Sequence, residues 1–166
     1  IDAKNNIVMF TGPSPGVGKS FVSTNFAHVV AQANKRVLLI DEDMRKGHIN
    51  KVYNLTRSPG LSELIIGKVD KKTAVRSIEF ENIDILTTGN LPPNPSELLM
   101  HENFEKYLVE LSKDYDLVLI DTPPLLVVTD AALIGRLSGT TFVFNALEPR
   151  LGKSYGNYGN YNYEYK

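Results

Sequence analysis

The sequence GPSPGVGKS, residues 12–20, lies between a short apolar run at residues 7–10 and a long helical pattern that starts near Lys19. A strand, a glycine-rich loop and a helix in this order predict a phosphate-binding loop. Glycines let backbone N–H groups close around phosphate oxygens, and the start of a helix adds unpaired N–H groups and partial positive charge. Lys19 is then placed to reach the outer phosphates, and the Ser20 hydroxyl to bind Mg²⁺.

The loop departs from the usual spacing of Gly, four residues and Gly-Lys-Ser/Thr. Counting back from Gly18, the first glycine position holds Pro13, and the prolines of the loop have no N–H to donate. We therefore expect the phosphate cradle to come from residues 16–21. The predicted nucleotide-binding residues are Gly16, Val17, Gly18, Lys19, Ser20 and Phe21. The alternative is a Gly/Pro turn before an ordinary helix, which the downstream motifs disfavour.

The composition is that of one soluble globular domain of 166 residues, with 42% hydrophobic and 22% charged residues. A net charge of −1 gives no reason to expect nucleic acid or a membrane surface as a partner, and the absence of cysteine excludes disulfides and thiol catalysis. Because the chain begins at Ile1 without Met, we expect a fragment of a longer protein. The three histidines, His28, His48 and His101, have no metal-ligand spacing and are interpreted as incidental.

Apolar runs and helical patterns alternate along the chain. Strands are predicted at residues 6–11, 36–41, 83–86, 117–121 and 140–144, and helices at 21–33, 61–77 in two pieces, about 95–113 and 130–137. The first helix has an apolar stripe of Val22, Phe26, Val29, Val30 and Ala33. This order predicts an α/β fold with a mostly parallel sheet, whose ligands bind beyond the carboxyl ends of the strands.

Three carboxylates follow predicted strands: Asp41 and Asp43 after the second, and Asp121 after the fourth. A carboxylate at a buried strand end needs a charge partner, and Mg²⁺ with bound phosphates is one. Ser20 with Asp43 or Asp121 suits such an ion, and Asp41 could accept the proton of an attacking hydroxyl. The alternative is that these acids cap loops or pair with Arg45 and Lys46.

Four stretches resemble the bacterial tyrosine autokinases. Residues 38–45 are similar to the extra A-prime motif of that family, residues 121–124 to its Walker B motif, and residues 92–99 to a further family stretch. The tail has five tyrosines within eleven residues, as the family does: Tyr155, Tyr158, Tyr161, Tyr163 and Tyr165. The nearest match is the cytoplasmic kinase domain of Wzc-type proteins of capsule and exopolysaccharide export.

The resemblance implies a P-loop NTPase-like kinase domain at residues 1–150 and a flexible tyrosine-rich tail at 151–166. It implies ATP and Mg²⁺ as cofactors and phosphorylation of the tail tyrosines between neighbouring subunits. By position, Lys19 contacts the phosphates, Ser20 and Asp43 hold Mg²⁺, Asp121 supports the metal and Asp41 acts as base. The implied partners are further copies in a ring, a cognate tyrosine phosphatase and the polysaccharide export machinery, at the cytoplasmic side of an inner membrane.

The chain also departs from the family pattern. Roughly thirty residues, about one αβ unit, are missing after Phe144, and Asn145 is a further candidate for nucleotide binding. The acidic and arginine segment that helps rings to assemble in the family lies upstream of residue 1. Two alternatives stay open: a MinD/ParA-like partitioning ATPase, which carries an additional lysine where Ser14 stands here, and a non-catalytic scaffold gated by nucleotide.

Overall fold

The computed structural model describes residues 3–79, 81–126 and 130–145. The strands are β1 (Ile7–Thr11), β2 (Val37–Asp41), β3 (Val75–Ser77), β4 (Ile83–Leu86), β5 (Leu117–Asp121) and β6 (Thr140–Val143). The helices are α1 (Lys19–Gln32), α2 (Ile49–Val52), α3 (Leu61–Ile65), α4 (Lys71–Ala74), α5 (Pro95–Leu99), α6 (Glu102–Ser112) and α7 (Asp130–Gly135). Within these ranges no helix is both long and apolar enough to cross a membrane.

The six strands form one sheet in the order β3-β4-β2-β5-β1-β6. Every neighbouring pair is parallel except β3 with β4. Strands β2 and β5 pair from Val37 opposite Leu117 to Asp41 opposite Asp121. The predicted α/β fold with a mostly parallel sheet is confirmed, and its central strands end side by side at one edge.

Helices cover both faces of the sheet, which explains why the central strands are apolar at almost every position. Leu38 and Ile40 of β2 face a core that includes residues of α3, α6 and α7. Val37 and Leu39 of the same strand face the opposite core, with Ala27 of α1. The alternation of β2 side chains between two cores fixes the register of the strand, because a shift by one residue would exchange all of them.

Three elements differ from the sequence prediction. The end of the helical pattern at 61–77 is the antiparallel strand β3, and the short helix α2 was not predicted. The helix predicted at about 95–113 is two helices, because His101 has an extended backbone and its Nδ1 accepts from the N–H of Asn103, which starts α6 anew. These differences depend on local caps and on pairing with β4, which the apolar pattern does not report.

Helix α1 packs on the sheet through smaller side chains than predicted. The buried residues of its face are Lys19, Ser23, Thr24, Ala27 and Ala31. Val29, a member of the predicted stripe, is 63% exposed. Small residues let the helix backbone approach the strands closely. Val22, Phe26 and Val30 of the predicted stripe are half-buried against the same core, whereas Ala33 is exposed like Val29.

A buried carboxylate ties the start of α3 to the loop after β4. Glu63 accepts hydrogen bonds from Ser58 Oγ at 2.7 Å, from the N–H of Gly60 at 2.9 Å and from the N–H of Asn90 at 3.1 Å. Burial alone would raise the pKa of Glu63, but these donors outweigh burial and lower the pKa from 4.5 to about 2. Gly89 passes so close that a Cβ there would collide with Glu63 Oε2.

We expect Gly89→Ala to lower the free energy of unfolding by clearly more than Gly67→Ala. Both glycines have positive φ, +79° and +72°, but only Gly89 has neighbours within 4 Å of a built Cβ. The matched control, Gly67→Ala, should cost about 1 kcal/mol from backbone strain alone. Gly89→Ala should cost at least about 2 kcal/mol more, because it also disturbs the Glu63 hydrogen bonds. Urea unfolding measures both, and equal losses would contradict the proposed contact.

Candidate nucleotide site at the carboxyl edge of the sheet

The glycine-rich loop leads from β1 directly into α1. Gly16 and Gly18 have φ of +77° and +89°, and Gly18 is the N-cap of the helix. Lys19 is the first helical residue and is 8% exposed. The backbone therefore has the conformation in which glycine avoids a steric penalty, and the unpaired N–H groups of the first turn lie next to the loop.

Two buried carboxylates lie side by side next to this loop. Asp41 ends β2, Asp121 ends β5, and the two are direct partners in the strand register. Asp41 is 1% exposed and Asp121 is 3% exposed. Asp121 Oδ2 accepts from the Ser20 hydroxyl at 2.5 Å, whereas the Oδ1 atoms of both acids are buried and have no hydrogen-bond partner among the described residues.

The pKa values of both acids are raised. Burial raises the pKa of Asp41 to about 8, and the neighbouring Asp121 adds to that rise. Burial also raises the pKa of Asp121, to about 6, although the Ser20 hydroxyl and the charge of Lys19 act against it. The site therefore disfavours negative charge in the absence of a cation, which is typical of a place that binds one.

The loop after β2 covers Asp41 and presents Asp43. Asp41 Oδ2 accepts from the N–H of Ile49 at 3.0 Å, and Gly47 lies so close to Asp41 Oδ1 that no Cβ would fit there. Asp43 Oδ1 accepts from the N–H groups of Arg45 at 3.2 Å and Lys46 at 2.9 Å, which folds the loop into a turn. Asp43, unlike Asp41, lines the open space beside the loop.

A second buried polar group holds the same loop on its other side. Arg45 forms an ion pair with Asp130, which is fully buried, and Ser96 Oγ donates to Asp130 Oδ1 at 2.6 Å. Glu42 is also fully buried, and neither of its carboxylate oxygens has a partner among the described residues. Burial, followed by the negative charge of Asp130, raises the pKa of Glu42 well above its usual value.

The open space between these loops is a cleft of about 370 Å³, here called the nucleotide cleft. Its lining residues are Pro15, Gly16, Gly18, Lys19, Ser20, Phe21, Asp43, Arg45, Lys46, His48, Pro123 and Pro124. Four of them carry or can carry positive charge, and the glycine loop borders them. A phosphate chain is the ligand that this combination of backbone N–H groups and cations suits.

The structure brings most of the predicted site residues together. Six of the predicted residues line the nucleotide cleft, and Asp41 and Asp121 lie buried behind them. Val17 is half-buried in the loop, and Asn145 is exposed after β6 and does not line the cleft. The five tail tyrosines lie outside the described residues.

Sequence reasoning missed the cleft positions of Arg45, Lys46 and His48. The sequence pattern predicts only that Arg45 and Lys46 pair with the acids, and it assigns His48 no role. A signal was present, because all three follow within five residues of Asp43, and a turn after a strand at this edge points into the cleft.

The fold and the site together define a P-loop NTPase-type domain, in which nucleotide phosphates bind beyond the carboxyl ends of parallel strands. The family model described as an AAA domain matches residues 5–137, so the chain belongs to that family. The relatives that the chain matches are bacterial tyrosine kinases. The chain is 48% identical over 143 residues to the tyrosine-protein kinase wzc of Salmonella typhimurium, covering 86% of this chain and 20% of that protein.

Solved structures of kinase domains lead to the same family. The kinase domain of the Escherichia coli tyrosine kinase ETK superimposes with a TM-score of 0.83 at 41% identity, covering 87% of this chain and 56% of that one. The VpsO kinase domain has a TM-score of 0.81 at 33% identity, and the match covers 86% of this chain and 70% of that one. The chain is thus a bacterial tyrosine autokinase domain by family, and it spans about a fifth of the length of the curated relatives it matches.

A more distant likeness concerns the fold alone. The septum site-determining protein MinD of Pyrococcus horikoshii has a TM-score of 0.70 at 20% identity, covering 84% of this chain and 57% of that one. The partitioning ATPases considered from the sequence therefore share the architecture, whereas the tyrosine kinases share both architecture and sequence.

We expect Asp41→Asn to stabilise the ligand-free protein at pH 8 more than at pH 5. The folded pKa of about 8 exceeds the ordinary value of 3.8, so the free energy of unfolding contributed by Asp41 falls as pH rises between these values. The neutral amide removes that loss, which for a rise of this size amounts to about 5 kcal/mol at pH 8 and about 2 kcal/mol at pH 5. Urea unfolding at the two pH values measures it.

Asp116→Asn is the matched control for this experiment. The N–H of Arg36 holds the pKa of the exposed Asp116 below its usual value, so its removal should not stabilise the protein at pH 8. A gain for Asp41→Asn that is the same at pH 5 and pH 8 would contradict the assigned ionisation.

Proposed function

We propose that this domain binds magnesium ATP in the nucleotide cleft and transfers the terminal phosphoryl group to tyrosines of the protein's own residues 155–165. The observation that carries the proposal is the buried pair of Asp41 and Asp121 beside Ser20 and Lys19. Such a pair is unfavourable alone, and a divalent cation with phosphates offsets the cost. The tyrosine-protein kinases among the relatives support the reaction type.

Ser20, Asp43 and Asp121 are the residues that would hold the magnesium ion. They supply a hydroxyl and two carboxylates, the hard oxygen ligands that Mg²⁺ prefers, and the buried Oδ1 of Asp121 has no other partner among the described residues. Such an ion neutralises charge on the phosphate oxygens when it is bound. The N–H groups of residues 16–21 and the Lys19 ammonium would hold the phosphates themselves.

The transfer needs a phenol oxygen in line with the terminal phosphorus. That oxygen forms a bond to the phosphorus, the bond from phosphorus to the bridging oxygen breaks, and ADP leaves with the bridging oxygen. We assign the released phenol proton to Asp41, which a cation bound beside it would keep ionised before transfer and whose raised pKa would let it hold the proton afterwards. Asp41 lies beneath Gly47, so the loop at 43–48 must shift for the phenol to reach it.

The whole protein is proposed to act in capsule or exopolysaccharide export, as the family resemblance implies. In this proposal the domain lies on the cytoplasmic side of an inner membrane, assembles with further copies and phosphorylates their tails. A cognate tyrosine phosphatase would reverse the modification. Each phosphate adds about −1.5 to −2 charge to the tail, so repulsion between modified tails would weaken the assembly.

We expect Lys19→Met to abolish phosphotyrosine formation in the presence of magnesium ATP, because the phosphates lose their buried cation. A loss of at least about 10²-fold is expected for a charge that stabilises the transferred group. Phosphosite mapping by mass spectrometry measures it. The control is Lys35→Met, since Lys35 is exposed and pairs with Asp116 at 3.4 Å, and it should leave the signal unchanged. If the protein without substitutions hydrolyses ATP but forms no phosphotyrosine, the proposal is overturned.

A comparison of Asp41→Asn with Asp43→Asn separates proton transfer from metal binding. We expect Asp41→Asn to lower the affinity for magnesium ADP less than Asp43→Asn does, because Asp41 is not a proposed metal ligand, and to slow transfer by about 10²-fold or more. Asp43→Asn should weaken magnesium-dependent nucleotide binding, because it removes a proposed ligand. Titration with a fluorescent ADP at several magnesium concentrations, followed by single-turnover transfer, measures both. The reverse pattern would exchange the two roles.

A further inference from the structure

A second cavity, of about 600 Å³, lies beside the nucleotide cleft between α1 and α2, and it is called the α1–α2 groove below. Its lining residues are Ser20, Phe21, Thr24, Asn25 and His28 of α1, together with His48, Lys51 and Val52. Three of them, Ser20, Phe21 and His48, also line the nucleotide cleft. The groove therefore opens onto the cleft at the end where Ser20 contacts Asp121.

The surface that the groove offers is largely apolar. Phe21 is 66% exposed and Val52 is 56% exposed. The polar side chains between them are already bonded within α1, since Thr24 Oγ1 donates to the Ser20 carbonyl at 2.8 Å and Asn25 Nδ2 to the Phe21 carbonyl at 2.7 Å. Exposed apolar side chains around a cavity of this size suit an aromatic ring.

The charge of the groove is positive. Lys51 and His48 are exposed at its rim, and none of the described residues that line it is acidic. His28 lies at the far end from the cleft, where its Nδ1 is 3.2 Å from Glu81. If a bound segment placed an aromatic ring against Val52, an acidic side chain next to that ring would lie near the ammonium group of Lys51.

We propose, resting on the function proposed above, that the α1–α2 groove is the acceptor site and that it binds residues 161–165 of a second copy. This segment reads Tyr-Asn-Tyr-Glu-Tyr, and Glu164 is the only acidic residue of 151–166. In an extended chain Tyr161, Tyr163 and Tyr165 lie on one side and contact the groove together. Glu164 lies on the other side, toward the rim, where the long exposed side chain of Lys51 can reach it. Glu164 pairs with Lys51, and one phenol extends toward the cleft.

The test uses two full-length forms of the chain, one as enzyme and one as acceptor. The acceptor carries Lys19→Met and keeps its tail. The enzyme carries the tail substitutions Tyr155→Ser, Tyr158→Ser, Tyr161→Ser, Tyr163→Ser and Tyr165→Ser. Mass spectrometry of acceptor phosphotyrosine at several acceptor concentrations gives kcat and KM, and a fluorescent ADP gives nucleotide affinity.

Lys51→Glu and Val52→Glu in the enzyme should each raise KM for the acceptor about two- to fivefold. They should leave kcat and the affinity for magnesium ADP unchanged, because neither residue lines the nucleotide cleft. The matched controls are Val29→Glu, at an equally exposed valine of α1 outside the groove, and Lys106→Glu on α6. Both should leave KM unchanged.

A charge exchange tests the pairing directly. With the enzyme that keeps Lys51, the Glu164→Lys acceptor should have a higher KM than the acceptor that keeps Glu164. With the Lys51→Glu enzyme, the Glu164→Lys acceptor should have the lower KM of the two. A structural effect of Lys51→Glu would not be reversed by a change in the other molecule. Absence of this reversal overturns the pairing of Lys51 with Glu164.

Binding of a fluorescein-labelled peptide YNYEYK in magnesium ADP separates this proposal from the proposed function. If no transfer occurs but Val52→Glu weakens peptide binding and Val29→Glu does not, the groove is supported and the kinase function fails. If transfer occurs with the same KM for Val52→Glu and Val29→Glu, the groove is overturned and the kinase function stands. If neither transfer nor peptide binding is observed, both proposals are overturned.

Discussion

The contact between Asp41 and Asp121 is the constraint on which the site depends. Parallel pairing of β2 with β5 makes these two acids direct neighbours, and the covering loop and helices remove both from water. Two negative charges in that position repel each other and lose hydration, so the ligand-free protein favours their protonated forms. A cation bound at this edge offsets the repulsion between the two carboxylates. The repulsion lowers the free energy of unfolding of the ligand-free protein, and its relief on binding adds to the affinity for the ligand.

Much of this arrangement was predictable because it follows from local pattern and strand direction. Continuous apolar runs before Asp41 and Asp121 predict strands covered on both faces, and parallel strands bring their carboxyl ends to one edge. The glycine loop before Lys19 then predicts where phosphates bind. Each of these inferences needs only the residues of one segment and the rule that joins segments into a parallel sheet.

The remainder depended on contacts between distant segments. Strand β3 exists because it pairs with β4, and α1 packs through Ala27 and Ala31 because the sheet admits a close approach. The burial of Asp41 beneath Gly47 and the cleft position of His48 depend on the path of one loop. Apolar periodicity carries no information about such loop paths, so a residue interpreted as incidental lies in the site.

The ion pair of Arg45 with Asp130 limits how the cleft can respond to a ligand. Arg45 lines the cleft, yet Asp130 is fully buried, and withdrawing its guanidinium partner would leave that charge unpaired at a cost of about 3–5 kcal/mol. The arginine therefore acts as a fixed anchor between the loop after β2 and α7, and Ser96 extends the anchor to α5. Cleft cations outside this anchor, such as Lys46, are the ones able to follow a phosphate as it moves.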